Sequence, residues 1–259
     1  MVWDMPADPR PLAVLLHAWV GAPAGLTEVE KAVRDVYPGA IVMLPTYAGA
    51  WHSPANPAEL AATLADAIAR GYDPVRHTET LLIGHSLGGL LLTKAFVYAA
   101  GATGDLPVHW RDRAAAWRPW ASSVRRIVLF AGLLRGWALP WRGRVLPPAR
   151  WLRMRAAALV GATALAPLGV ARLIGSVRRA SPFVTRLSGQ WAALSRAGVV
   201  LPAVTQIHGT RDELLTPADI VGPGGPVVRY VPVEGAGHED VVALSKYPDA
   251  RRALVEAIQ

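Results

Sequence analysis

Six short runs of the chain are too continuously apolar to be half-exposed strands: Leu12–Leu16, Ala40–Leu44, Thr80–Ile83, Arg126–Phe130, Val204–His208 and Val227–Val231. Helical patterns fall between most of them, over Leu26–Val36, Asn56–Arg70, Leu87–Ala99 and Pro248–Ile258. The stretch NPAE at Asn56 is a helix start, with a capping asparagine, proline at the first helical position and glutamate at the third. Strand–helix alternation predicts an α/β protein: a mostly parallel sheet of about six strands with helices on both faces. The alternation breaks after the run ending at Phe130. Residues Gly132–Ser188 are therefore read as an insertion between two strands, a lid over one end of the sheet. The expected organisation is a catalytic domain from 1–131 and 189–259, interrupted by a lid at 132–188. No internal repeat is visible.

Charge is distributed in a way that singles out the same region. Of the 27 basic and 19 acidic residues, fifteen arginines and one acid, Asp112, lie between Trp110 and Arg186, giving +14; the remainder carries −6. Seven of the ten tryptophans fall between Trp110 and Trp191. The arginines interleave with Trp, Leu and Ala instead of lining a polar face, and no nucleic-acid motif accompanies them, so nucleic acid is not an expected partner. Ala156–Ala171 is an uncharged run bracketed by Arg153, Arg155 and Arg172. It is shorter than the roughly 20 apolar residues needed to span a bilayer. Two readings stand side by side: an interfacial segment meeting an anionic membrane surface, and a lid whose arginines are simply solvated. Cysteine is absent, which removes disulfides and thiolate metal sites. The opening MVWDMPADPRP lacks the basic and apolar pattern of a signal peptide, so the expected location is cytoplasmic, with peripheral membrane association under the first reading.

The chemistry is concentrated in LLIGHSLGGL, Leu81–Leu90, where an apolar strand runs into glycines around one serine. A sharp strand-to-helix turn holds such a serine in a strained conformation with its hydroxyl outward. Gly84 and Gly88 are required because side chains there would strike the turned backbone. Gly89 allows close helix packing, and the N–H of Leu87 would face negative charge developing beside Ser86. A phosphate cradle would need a lysine directly after the glycines, and Lys94 comes too late.

Serine needs a base, and the base needs an orienting acid. Of seven histidines, His85 lies within the turn and projects away from Ser86. His52, His77 and His109 read as solvated surface residues and His208 as a buried strand end. His238, in the glycine-rich VEGAGHEDVV after the last strand, is the candidate base. Asp212 in HGTRDELLTP is the candidate acid, with Glu213 as the alternative.

The order Ser86, Asp212, His238 on strand ends resembles the α/β-hydrolase superfamily, in its lipase/esterase-type serine hydrolases; VLFAGLLRGW and HGTRDELLTP add to the likeness. The resemblance covers Leu12 to about Ala131 and Val204 to the last residue, with the insertion where the family carries its lid. It implies Ser86 as nucleophile, His238 as base then acid, Asp212 as orienting acid, and the N–H of Leu87 as the first oxyanion donor. The second donor comes from the loop after the first conserved strand. Here that loop reads LLHAWVG, so Trp19 would supply the N–H, and Ala18 stands where the family has glycine. The implied activity is hydrolysis of a small-molecule or lipid ester with an apolar acyl group, without cofactor or metal. A thioesterase or acyltransferase would use the same residues. A non-catalytic, membrane-associated binding protein of the same fold is the alternative from a different class.

Overall fold

The computed structural model describes residues 10–19, 21–47, 53–138, 172–215, 217–220 and 228–259. Six strands form one sheet: β1 (Arg10–Leu16), β2 (Ile41–Met43), β3 (His77–His85), β4 (Val124–Phe130), β5 (Ala203–Gly209) and β6 (Val228–Val233). Their order is β2-β1-β3-β4-β5-β6, and every neighbouring pair is parallel. The helices are α1 (Thr27–Val36), α2 (Pro57–Gly71), α3 (Leu87–Ala99), α4 (Val108–Arg111), α5 (Arg118–Ser123), α6 (Arg172–Ser176), α7 (Pro182–Arg196), α8 (Pro217–Ile220) and α9 (Pro248–Ile258). Helices α1 and α9 pack together on one face, with α9 against β4, β5 and β6. Helices α2, α3 and α5 cover the other, and α7 joins them on α3.

The elements follow the local chemistry. Asn56 caps α2, its Oδ1 accepting from Ala58 N at 3.0 Å, with Pro57 opening the helix. The runs in β1, β3 and β4 are buried because helices lie on both faces, so their residues have no solvent side to alternate toward. Helix α3 is buried along its whole length, including Lys94. That ammonium gives hydrogen bonds to Asp105 Oδ2 at 2.8 Å and Gln190 Oε1 at 2.5 Å, and lies over the rings of Tyr98 and Phe183. It thereby ties α7, through Gln190 and Phe183, to α3.

The chain leaves β1 toward α1 and β2 on one side and later returns to β3 on the other. The strand order therefore reverses between β1 and β3. In a sheet of this kind, the cleft beyond the carboxyl ends of the strands at that reversal is where ligands bind. His17–Trp19 follow β1 there, and Ser86 follows β3.

Of the expected insertion, residues 132–138 and 172–188 are described. They are packed against the body: Leu133, Leu134, Trp137, Leu173, Ile174, Val177, Phe183 and Leu187 are buried. Trp137 and Arg178 form a parallel bridge, with Trp137 N donating to Val177 O and Arg179 N to Trp137 O. The expected boundary at 188/189 falls inside α7, which runs unbroken from Pro182 to Arg196. The uncharged run Ala156–Ala171, and the arginines and tryptophans from Trp141 to Arg155, lie outside the described residues. Trp137, one of the tryptophans of the basic region, is 6% exposed, and its Nε1 donates to Ile174 O at 3.0 Å. An indole fixed in this way is part of the core. Among the described residues no helix is long and apolar enough to cross a membrane.

Candidate active site

Strand β3 ends at His85, and Ser86 takes φ 53°, ψ −121°, a conformation that L-residues adopt only under constraint. The constraint is visible on both sides. Ser86 N donates to Phe130 O of β4 at 2.8 Å, and Gly89 N to Ser86 O at 3.1 Å. The two elbow glycines are required sterically. A Cβ at Gly84 would sit 2.4 Å from Gly89 Cα and N, and one at Gly88 would sit 2.3 Å from Leu16 O and 2.4 Å from His17 O. The elbow therefore rests directly on the backbone that leads from β1 into the Trp19 turn.

Ser86 Oγ lies 2.8 Å from His238 Nε2, and His238 Nδ1 lies 2.9 Å from Asp212 Oδ2. All three side chains are buried. With the carboxylate accepting, His238 carries its proton on Nδ1, and Nε2 is left to accept from the serine hydroxyl. Asp212 comes from the turn after β5. Its Oδ1 accepts from Leu214 N and Leu215 N, both at 2.8 Å, so the carboxylate is oriented by backbone before it meets the histidine.

The electrostatics match that arrangement. Burial works against ionisation of Asp212, but the hydrogen bond and charge of His238, with the Leu215 and Leu214 N–H groups, hold its carboxyl below the usual range. Burial likewise disfavours protonated His238, but the bond to Asp212 and its charge, aided by Glu239 and Glu213, raise the imidazole above its ordinary value.

The residues expected at the site meet unevenly. Ser86, Asp212 and His238 come together. Glu213, the alternative acid, does not reach the ring: its Oε2 accepts from the backbone N–H of His238 at 3.1 Å. Leu87 opens α3 beside Ser86, and Trp19 lies in the turn after β1. Ala18 is buried and is not among the described non-glycine residues with positive φ, so its methyl group brings no left-handed strain.

His208, read as a buried strand end, is buried, and its Nδ1 lies 3.5 Å from Asp212 Oδ2. His77 is a correction. It was read as a solvated surface residue, but it opens β3 at 5% exposure, its Nδ1 accepting from Asp73 N at 2.9 Å. Its neighbours in sequence are polar, and its surroundings come from pairing with Arg10 of β1 and from the ring of Tyr72, 5.6 Å away. His109 is exposed on α4, and His52 lies outside the described residues.

One supporting residue went unread in the sequence. Tyr47 stacks on His17, ring centroids 4.6 Å apart and 3° from parallel, and its hydroxyl donates to His17 O at 3.2 Å. It braces the loop that carries Trp19, and nothing in PTYAGA signals that role. Among the described residues no group of three or more His, Cys, Asp or Glu is placed to hold a metal ion.

No protein-family model matches the chain, and no curated protein matches its sequence. Solved structures do resemble it in shape. The peroxisomal α/β-hydrolase of Saccharomyces cerevisiae aligns at a TM-score of 0.59 and 12% identity, over 97% of this chain and 77% of that one. Est1E from Butyrivibrio proteoclasticus aligns at 0.55 and 14%, over 98% and 92%. An esterase from Pyrobaculum calidifontis aligns at 0.52 and 19%, over 96% and 75%.

Proposed function

The chain has the α/β-hydrolase fold, and from that premise we propose that it is a serine hydrolase cleaving a carboxylic ester with an apolar acyl group through an acyl-enzyme. The observation that carries this reading is the unbroken hydrogen-bond chain Ser86–His238–Asp212, built on a strained elbow at the strand-order reversal. In the proposed reaction His238 Nε2 takes the Ser86 proton as Oγ attacks the ester carbonyl. Asp212 stabilises the imidazolium so formed. The N–H groups of Leu87 and Trp19 receive the negative charge on the carbonyl oxygen. His238 then gives its proton to the departing alkoxide. Water, activated by the same imidazole, releases the acid and restores Ser86. No cofactor takes part.

Ser86→Ala tests the reading. Hydrolysis of p-nitrophenyl butyrate should fall by about 10⁴-fold or more, because the three groups act as a unit. Circular dichroism should be unchanged. A fluorophosphonate should label the wild type and leave the variant unlabelled. Turnover by the purified variant at the wild-type rate would overturn the assignment of Ser86.

A further inference from the structure

His238 has four polar handles, and three are accounted for: Nε2 faces Ser86, Nδ1 faces Asp212, and the backbone N–H goes to Glu213. The fourth is its backbone carbonyl, which accepts from His85 Nε2 at 2.9 Å. His85 immediately precedes the proposed nucleophile and lies 153 residues from His238 in sequence. We propose that His85 is a positioning residue: by donating from Nε2 to the His238 carbonyl, it sets the distance between the base's ring and Ser86. The proposal rests on the reading of Ser86 as nucleophile and His238 as base.

The geometry argues for more than space-filling. The segment Gly235–Gly237 that delivers His238 has glycines on both sides of Ala236, with Gly235 at φ +76°, so its backbone has little stiffness of its own. Its other fastenings are local or come from the turn after β5: Arg211 N to Ala236 O and Gly235 N to Thr210 Oγ1 from that turn, Gly237 N to Asp240 Oδ1 and Tyr247 Oη to Gly235 O from the residues that follow His238, and Ala236 N to Val233 O at the end of β6. His85 supplies a bond from the nucleophile's own strand. It therefore links the two reacting partners directly, without passing through β4 and β5.

The donor is suited to the task. His85 is buried, and its ring packs 5.6 Å from that of His238, tilted by 36°. Burial first, then the charge of His238, pulls its pKa down to about 4, against weaker opposing effects of the bond to His238 and the charge of Asp212. At neutral pH it is an uncharged N–H donor that adds no positive charge beside the base. A phenylalanine would fill similar space but leave a buried carbonyl without its donor. Displacements of about 1 Å at reacting groups can cost on the order of 100-fold in rate.

The test compares His85→Phe with His85→Gln, whose amide can still donate. On p-nitrophenyl butyrate, kcat of His85→Phe should fall about 10- to 100-fold with KM within about twofold, and labelling by a fluorophosphonate should slow in parallel. His85→Gln should recover to within about fivefold of wild type. The His238 Nδ1 proton, followed by NMR, should shift or broaden in the Phe variant and return toward its wild-type position in the Gln variant. A folded His85→Phe enzyme with wild-type kcat, or a Gln variant no better than Phe, would overturn the proposal. Should the Phe variant not fold, His85→Gln is judged against wild type: a kcat within about fivefold with the Nδ1 signal in place supports the proposal, and a larger loss overturns it. If the wild type neither hydrolyses esters nor is labelled, the hydrolase reading falls. The NMR resonance then still judges His85: an unchanged signal in His85→Phe overturns positioning, and a displaced one supports it.

Discussion

At the residue scale, two adjacent carboxylates do different work because their backbone directions differ. Asp212 turns toward the ring of His238 under two N–H groups, and Glu213 turns toward its backbone. Asp212→Asn should therefore cost about 10⁴-fold in kcat, because the amide cannot stabilise the imidazolium and can favour the wrong tautomer. Glu213→Gln retains an acceptor and should cost about tenfold at most. Both are read in the ester assay. The pH dependence supplies a sign. Only neutral His238 can accept a proton, and its pKa is raised, so activity should climb along an acid limb whose midpoint lies above the ordinary histidine value of about 6.5. With Asp212 neutralised, burial is left to dominate, so the limb of the residual activity should move to lower pH. A limb that stays in place or moves upward would contradict the assignment of Asp212 as the source of the shift.

Elements meet at two places where a single side chain decides the packing. At Gly88 the start of α3 lies against the carbonyls of Leu16 and His17, with no room for a methyl group. Gly88→Ala should lower stability by about 1–3 kcal/mol, seen as an earlier denaturant midpoint. It should also depress kcat by pushing the elbow away from the Trp19 turn. A variant with normal stability and normal kcat would show that this contact yields easily. Lys94 joins α3 to the Asp105 turn and to α7. Burial lowers its pKa, and the bond and charge of Asp105 oppose that. Lys94→Ala should cost about 3–5 kcal/mol, because it leaves Asp105 buried without its cation. Adding Asp105→Ala should restore part of the loss. Additive losses in the double variant would mean that the pair is not coupled.

For the whole molecule, the outstanding feature is a +14 segment in a body of −6. We propose that this segment binds anionic membrane surfaces. A lid that only packs on the sheet has no need of the ten arginines, against no acid, that lie within 132–188, and each basic residue near an anionic surface adds roughly 1 kcal/mol of attraction. The protein should sediment with vesicles rich in anionic lipid, less with neutral ones, and be released by salt, which screens the attraction. Replacing Arg142, Arg144, Arg150, Arg153 and Arg155 by glutamine should weaken sedimentation and spare hydrolysis of soluble esters. Equal binding to both kinds of vesicle, or to neither, would refute the interfacial role. Trp137 is not part of that surface, and Trp117 and Trp120 are fully buried, so part of the tryptophan enrichment belongs to the core.

What the sequence determined by itself is whatever depends on neighbours in the chain. Helices α3 and α9 lie over the residues expected of them, and α2, capped by Asn56, lies within one residue of its expected ends, because caps, glycines, prolines and apolar patterning act within a few positions. The elbow at Ser86 was legible for the same reason: Gly84 and Gly88 must be glycine for the turn to close at all. His238 and Asp212 were readable only as candidates, from their places after strands. Tertiary structure decided what depends on contacts between distant segments. It set Asp212 under the ring and Glu213 under the backbone, paired His77 with Arg10 of β1, and fixed Trp137 to Ile174. It also turned His85 from a filler of the motif into the donor on the His238 carbonyl. Each of these rests on a contact between segments tens to hundreds of residues apart, and pattern along the chain carries no record of such a meeting.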